Sequence, residues 1–290
     1  MMRGKETAFD VSVKDLLAEI SSAGKWVKPW VFRLPRNLQG RVYSGSNVFT
    51  LLSAMREHDW VSPYFGTFLQ AKDLGYPVPK GVKALTRVIF AGNVFKKLEA
   101  SASRDMQVKA SASDEGKKLV FKYSEHAVWN AEQIKAEPLL VSNVKADELT
   151  DKVLDWYAKL GVCFSWGLGE RAAYSPLSHS IELPRLEVFH EQAGFVATAI
   201  HELVHWTAKD LVPRELSSVF GSSEYAKEEL IAELSSLMLL GELGISNENQ
   251  KAYLKSWLGK FEESEHEAIL AEALKVSGKV VGVVAERVGL

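Results

Sequence analysis

Glu191-Gln-Ala-Gly-Phe-Val-Ala-Thr-Ala-Ile-His201-Glu202-Leu-Val-His205-Trp-Thr-Ala208 is the stretch from which the rest of the chain is read. Residues four apart in a helix lie one turn apart on the same face, so His201 and His205 can offer two imidazole nitrogens to one metal ion. Glu202 stands about 100° round the helix, where it reaches a metal-bound water without being a ligand. A metal held in this way lowers the pKa of its water toward neutrality, and the glutamate takes the proton. Phe195, Val196, Ala199, Ile200, Leu203 and Val204 recur at three- and four-residue spacings with no proline among them, which places the motif on an apolar-faced helix. A chance His-Glu-x-x-His arises in roughly one chain in a hundred of this length, so context must carry the weight. The competing reading is two core histidines and a surface glutamate.

A catalytic zinc takes three protein ligands and leaves a position open for water. A histidine at 211 led by a glycine at 208 would supply the third locally, but those positions hold Ala208 and Leu211. Nothing around Asp210 resembles a glycine-led aspartate motif either. Downstream, Glu229 and Glu233 are four apart on a predicted helix that turns Ala226, Leu230, Leu234 and Leu237 inward. Burying an unpaired carboxylate is unfavourable, so two acids beside that face call for partners. A metal at Glu229, with Glu233 hydrogen-bonding a ligand histidine, supplies both. Glu228 is the alternative ligand, and a solvated acidic face is the alternative to a metal site.

Composition sets the bounds. The 290 residues, 47% hydrophobic and 10% aromatic, suit two ordinary domains with cores of their own, or one large one. No apolar run approaches the ~20 residues of a membrane span, and the N-terminus lacks the apolar core of a secretory signal. Cys163 is the only cysteine, which excludes an intrachain disulfide and fits a reducing cytoplasm; between Val162 and Phe164 it reads as a small buried residue. The net charge of −2 hides an asymmetry: residues 1–140 hold 21 Lys+Arg against 14 Asp+Glu, and the remainder 14 against 23. The front half is thus +7 and the back half −9, as expected of a polyanion-binding module joined to something else, although an uneven ordinary surface gives the same sums.

The front half carries an interleaved pattern. Trp26, Trp30 and Tyr43 alternate with Lys25, Lys28, Arg33, Arg36 and Arg41. Aromatic faces stack unpaired bases while cations follow phosphates, which is what a single-strand-binding surface needs. The tryptophans also suit the core of a small domain. Residues 1–9 read as a tail, followed by a helix at about 13–23 with Ser12 and Asp15 as its capping box. Helices at 47–55 and 68–74, strands at 85–90 and 118–123, and a mobile loop at about 97–117 complete a small mixed unit. Tyr76 to Gly81 is a rigid loop tipped by Lys80. The unit spans 1–135, a linker 136–145, and a second domain 146–290. That domain holds a helix at 146–160, three short strands at 162–166, 172–175 and 180–183, the motif helix, an acidic helix at 222–240, and helices at about 247–258 and 264–275. A sheet edge followed by a metal-binding helix suits a cleft that pairs with an extended peptide.

Those residues carry a resemblance. Val196 to Thr207 and Phe220 to Leu234 resemble the C-terminal zincin-like domain of ArdC-type antirestriction proteins, with Arg171-Ala-Ala-Tyr174-Ser-Pro176 and Ile181-Glu-Leu-Pro184 similar to its strands. Trp26-Val-Lys-Pro-Trp30, Leu34-Pro-Arg-Asn37, Tyr43-Ser-Gly-Ser-Asn47-Val48 and Lys80-Gly81 are similar to that family's single-stranded-DNA-binding domain. The acidic pair four apart also resembles the ligand helix of thermolysin-type gluzincins. The resemblance implies an α+β fold, a small mixed N-terminal single-stranded-DNA-binding domain followed by a gluzincin-type zincin domain. It adds Asn37, Asn47 and Lys80 to the expected DNA contacts. It implies a cytoplasmic protein of a bacterial host, encoded on a plasmid or other mobile element, that protects incoming DNA from restriction. Two departures stand out: Ser178-His179-Ser180 occupies a position where an acid is expected, and Ala208-Lys209 replaces Gly-His.

Three functions follow. One is a zinc metallopeptidase with His201, His205 and Glu229 as ligands, Glu202 as general base and Tyr174 or Tyr225 as oxyanion donors, Zn2+ being replaceable by another divalent ion such as Mn2+. Another is a protein that blocks restriction by occupying DNA, single-stranded or also double-stranded, around a structural metal. The third combines them, tethering a peptidase to DNA near an unidentified host protein, without a membrane partner.

Overall fold

The computed structural model describes residues 7–22, 33–97, 117–136, 148–217, 219–245 and 250–290. The chain opens on α1 (Ala8–Ser21), which turns Phe9, Val13, Leu16 and Ile20 inward at helical spacing. Its start corrects the expected one. Thr7 Oγ1 accepts from the Asp10 N–H while Asp10 accepts from the Thr7 N–H, so the capping box sits five residues before Ser12 and Asp15. Burying Phe9 requires that extra turn, and Ser12 instead donates to the Ala8 carbonyl within the helix.

After β1 (Arg36–Asn37) come α2 (Ser46–Glu57), β2 (Tyr64–Gly66) and α3 (Phe68–Asp73), the last capped by Thr67 and Gln70. Strands β3 (Thr86–Lys97) and β4 (Lys117–Asn130) pair from Thr86↔Val128 to Lys97↔Lys117. Both outrun the expected strands, because pairing along the hairpin overrides weak local preference at Gly92 and Ser124-Glu125-His126. The expected loop falls almost wholly on residues 98–116, outside the described residues. The sheet order is β1-β2-β4-β3, with β1 and β2 parallel and the other pairs antiparallel.

The second half begins with α4 (Leu149–Leu160), ended by Gly161 at φ 74°. Strands β5 (Cys163–Trp166), β6 (Ala173–Ser175) and β7 (Ser180–Leu183) form a sheet in the order β5-β7-β6. Cys163 is exposed, a correction: β5 is an edge strand, and alternation turns Phe164 onto Tyr157 and Cys163 the other way. Four helices follow, α5 (Gln192–Asp210), α6 (Ser223–Glu242), α7 (Gln250–Leu258) and α8 (His266–Val288). Helix α8 runs well past the expected end at 275.

One buried cluster joins the two halves: Leu16, Ile20, Val48 and Met55 belong to the same core as Leu203, Leu240, Leu274 and Val281. A buried ion pair reinforces it. Arg36 on β1 meets Glu242 at the end of α6, and Glu242 also accepts the Leu34 N–H at 2.8 Å. No helix among the described residues is long and apolar enough to cross a membrane.

Candidate metal centre

Helix α5 is fixed by burial on three sides. Phe195, Ile200, Leu203 and Val204 are fully buried, and the Tyr157 hydroxyl on α4 donates to the Ala199 carbonyl at 2.7 Å. The face left over carries His201 and His205, and α6 packs across it. Ser222 caps α6, and the Ala226, Leu230 and Leu234 stripe sinks into the core, which leaves Glu229 one turn from Glu233 beside the histidines.

The ligand atoms of His201, His205 and Glu229 all lie within 4.8 Å of one another. The two Nε2 atoms are 3.1 Å apart, and Glu229 stands 3.4 Å from His201 Nε2 and 3.7 Å from His205 Nε2. Tetrahedral coordination with metal–ligand bonds of about 2.0–2.2 Å separates donors by about 3.3–3.6 Å, so these side chains match three corners of such a site.

Each donor is set by a neighbour. Glu228 is buried and accepts from His205 Nδ1 at 2.9 Å, leaving Nε2 to face His201. Arg214 grips Glu228 through Nε and Nη2, at 2.7 and 2.9 Å, and donates to the Val204 carbonyl and Thr207 hydroxyl on α5. Glu233 lies 3.7 Å from His201 Nδ1, an ion-pair distance rather than a hydrogen bond. Burial alone would pull the His201 imidazolium down, but the contact with Glu229 and the charges of Glu233 and Glu202 outweigh it, and the ring titrates above 6.5. Burial likewise opposes ionisation of Glu229, yet His201 and His205 hold its carboxyl below the usual range.

Glu202 accepts the Tyr174 backbone N–H at 2.7 Å, so the edge strand β6 borders the centre. The Tyr174 hydroxyl is engaged elsewhere: it bonds His179 Nδ1 at 2.9 Å, and His179 Nε2 meets Asp210 at 3.1 Å while its ring stacks on Trp206. The acid that meets His179 thus comes from the end of α5. The Tyr225 hydroxyl lies beside Glu229; burial first, then Glu229 and Glu202, push it up to about 12. Arg214 and the His179–Asp210 pair escaped the sequence reading, since each meets its partner only through loop geometry.

The expected DNA contacts divide. Lys25, Trp26, Lys28 and Trp30 lie outside the described residues. Arg41 and Lys80 are exposed. Asn37, Arg41, Tyr43 and Asn47 line one groove of about 950 Å³. Several expected contacts face inward, however, which corrects their assignment. Arg36 is 5% exposed on Glu242, and Arg33 donates to the Glu242 carbonyl. Asn47 spends its amide on the Ile89 backbone, donating to the carbonyl at 2.8 Å and accepting the N–H at 2.7 Å. Asn37 accepts the Gln39 and Arg41 N–H groups of its own turn. Tyr43 is 7% exposed, too little for a base to stack on its ring.

Comparison with known proteins agrees with this layout. Residues 11–129 match the N-terminal domain of the anti-restriction factor ArdC, and residues 151–275 match a zincin-like metallopeptidase family. The chain is similar to the DNA primase TraC of Escherichia coli, 31% identical over 288 residues, which is 91% of this chain but only 26% of the primase. A protein of Sinorhizobium fredii is 27% identical over 92% of this chain and 88% of its own length. The crystal structure of the antirestriction ArdC protein from the R388 plasmid superposes with a TM-score of 0.67 in metal-free form, at 26% identity and 97% coverage of both chains. Its Mn(II)-bound form gives 0.63. A divalent metal therefore belongs to this fold, and the chain belongs to the ArdC-type antirestriction proteins, an ArdC N-terminal domain followed by a zincin-like metallopeptidase domain.

Proposed function

We propose that the protein accompanies single-stranded DNA entering a bacterial cytoplasm from a mobile element, and shields it from restriction with a hydrolytic zinc centre aimed at a host protein. The observation that supports the hydrolytic part is the convergence of His201, His205 and Glu229 on one point beside Glu202. A divalent ion bound there supplies Lewis acidity and an acidified water.

The chain's own residues do the rest. Glu202, tethered by one oxygen to β6, takes the proton of the attacking water and passes it to the leaving amine. An extended segment of the target protein lies along β6, antiparallel or parallel to Ala173–Ser175. With its titration at about 12, the Tyr225 hydroxyl stays protonated at neutral pH and can donate to the developing oxyanion. Tyr174 is turned to His179, whereas Tyr225 stands at the centre and can exchange its hydrogen bond to Glu229 for one to the oxyanion. For DNA, Arg41 supplies a solvated cation at the groove, and the half-exposed Phe90 and exposed Tyr123 supply stacking surfaces.

Glu202→Ala set against His201→Ala in a cellular antirestriction assay tests the hydrolytic reading. General-base removal should cut peptide hydrolysis by about 100-fold or more and abolish protection while metal still binds. His201→Ala should lose metal and protection together. Full protection by a metal-loaded Glu202→Ala protein would leave DNA occupancy, not hydrolysis, as the means of protection.

A further inference from the structure

The groove holding the expected DNA contacts has a second wall that the N-terminal half does not supply. It is formed by α8, whose Lys275, Lys279 and Glu286 line the cavity opposite Arg41 and residues 43–46. We propose that this helix completes the nucleic-acid site, Lys275 and Lys279 meeting the phosphates of a DNA single strand laid along the groove that α8, the 41–47 loop, Phe90 and Tyr123 line together. The inference rests on the DNA reading above and deepens it.

Charge is the first support. The half of the chain that contains α8 carries a net −9, yet Lys275 to Val284 holds two lysines and no acid. The cavity lining sets three cations against one acid, Glu286. Both lysines are exposed and one helical turn apart, so they project along one side. The Lys275 ammonium lies 5.3 Å over the Phe9 ring, which steadies the charge near the rim.

Rigidity is the second support. A Cβ on Gly278 would fall 1.9 Å from the Gly45 carbonyl oxygen, and one on Gly282 2.5 Å from Ser44 Cβ. The two glycines let the helix backbone touch the 44–45 loop directly, so α8 is fixed against that loop and the groove beside their contact exists before any ligand arrives. Phe90, 37% exposed, and Tyr123, 72% exposed, add stacking faces to the same lining. Cations along a track with accessible aromatic rings are the recognition chemistry of a single strand.

The test is binding of a fluorescein-labelled oligothymidylate by the full chain across a salt series. Each lost phosphate contact lowers the slope of log affinity against log salt by about 0.7, so Lys275→Gln/Lys279→Gln should flatten it by about 1.4 and weaken binding roughly 20-fold at 0.1 M salt. A control pair on α7 and its exit, Lys255→Gln/Lys260→Gln, removes the same charge away from the groove and should leave the slope unchanged. Equal thermal melting of the variants establishes that all are folded. Wild-type binding with an unaltered slope in Lys275→Gln/Lys279→Gln overturns the role of α8 alone. Failure of the wild-type chain to bind at low salt overturns the DNA reading and this inference with it.

Discussion

His205 is held from behind by Glu228, and Glu228 is held in turn by Arg214, while Glu229 faces the point where both imidazoles converge. In the proposed centre these adjacent glutamates have different work, one orienting and one ligating. Exchanging each for glutamine separates them. Glu229→Gln removes a charged donor and should abolish tight metal binding. Glu228→Gln keeps an oxygen for the His205 Nδ1 proton, so affinity should fall only about 10- to 100-fold. Competition with a chromogenic chelator reads both values; the reverse order would make Glu228 the ligand. The candidate ligands could be picked out by spacing, because a helical period fixes what shares a face. Arg214 was not, because a loop residue reaches its partners only through a path that no period encodes.

Helix α8 shows the same division one level up. The expected end at 275 stops short of Gly278 and Gly282, both inside the helix. The helix continues because its glycines lie where another backbone must pass. Gly278→Ala should destabilise the protein by about 1–3 kcal/mol through overpacking against the Gly45 carbonyl. Gly194→Ala in the first turns of α5 meets only Phe189 Cδ1 at 3.5 Å, and should leave stability unchanged or raise it by up to about 1 kcal/mol. Urea denaturation of the two variants gives the comparison, and equal effects would mean that α8 does not bear on the loop. The capping boxes follow a similar logic: Thr7/Asp10 and Ser12/Asp15 are equivalent as patterns, and only the burial of Phe9 selects the first.

For the whole molecule, the joint between the halves is the decisive feature. Arg36 is a basic residue within a run that suggests phosphates, yet it is sealed against Glu242 more than 200 residues away. Glu242→Ala strands that guanidinium in the core and leaves the Leu34 N–H without its acceptor, and should cost about 3–5 kcal/mol. Tryptophan fluorescence during urea unfolding measures the shift in midpoint; a shift below about 1 kcal/mol would show that the halves do not depend on each other. By itself the sequence determined the helix of the two histidines, the acidic helix that faces it, the three short strands between α4 and α5, and the two-part α+β plan. These rest on local periodicity, which is set by backbone geometry within a few residues. Tertiary structure alone decided which cations face solvent, that Glu228 rather than Glu233 takes the hydrogen bond of a histidine of the pair, and that one core spans both halves. Those outcomes depend on contacts between distant segments, and burial, not residue type, assigns each side chain its partner.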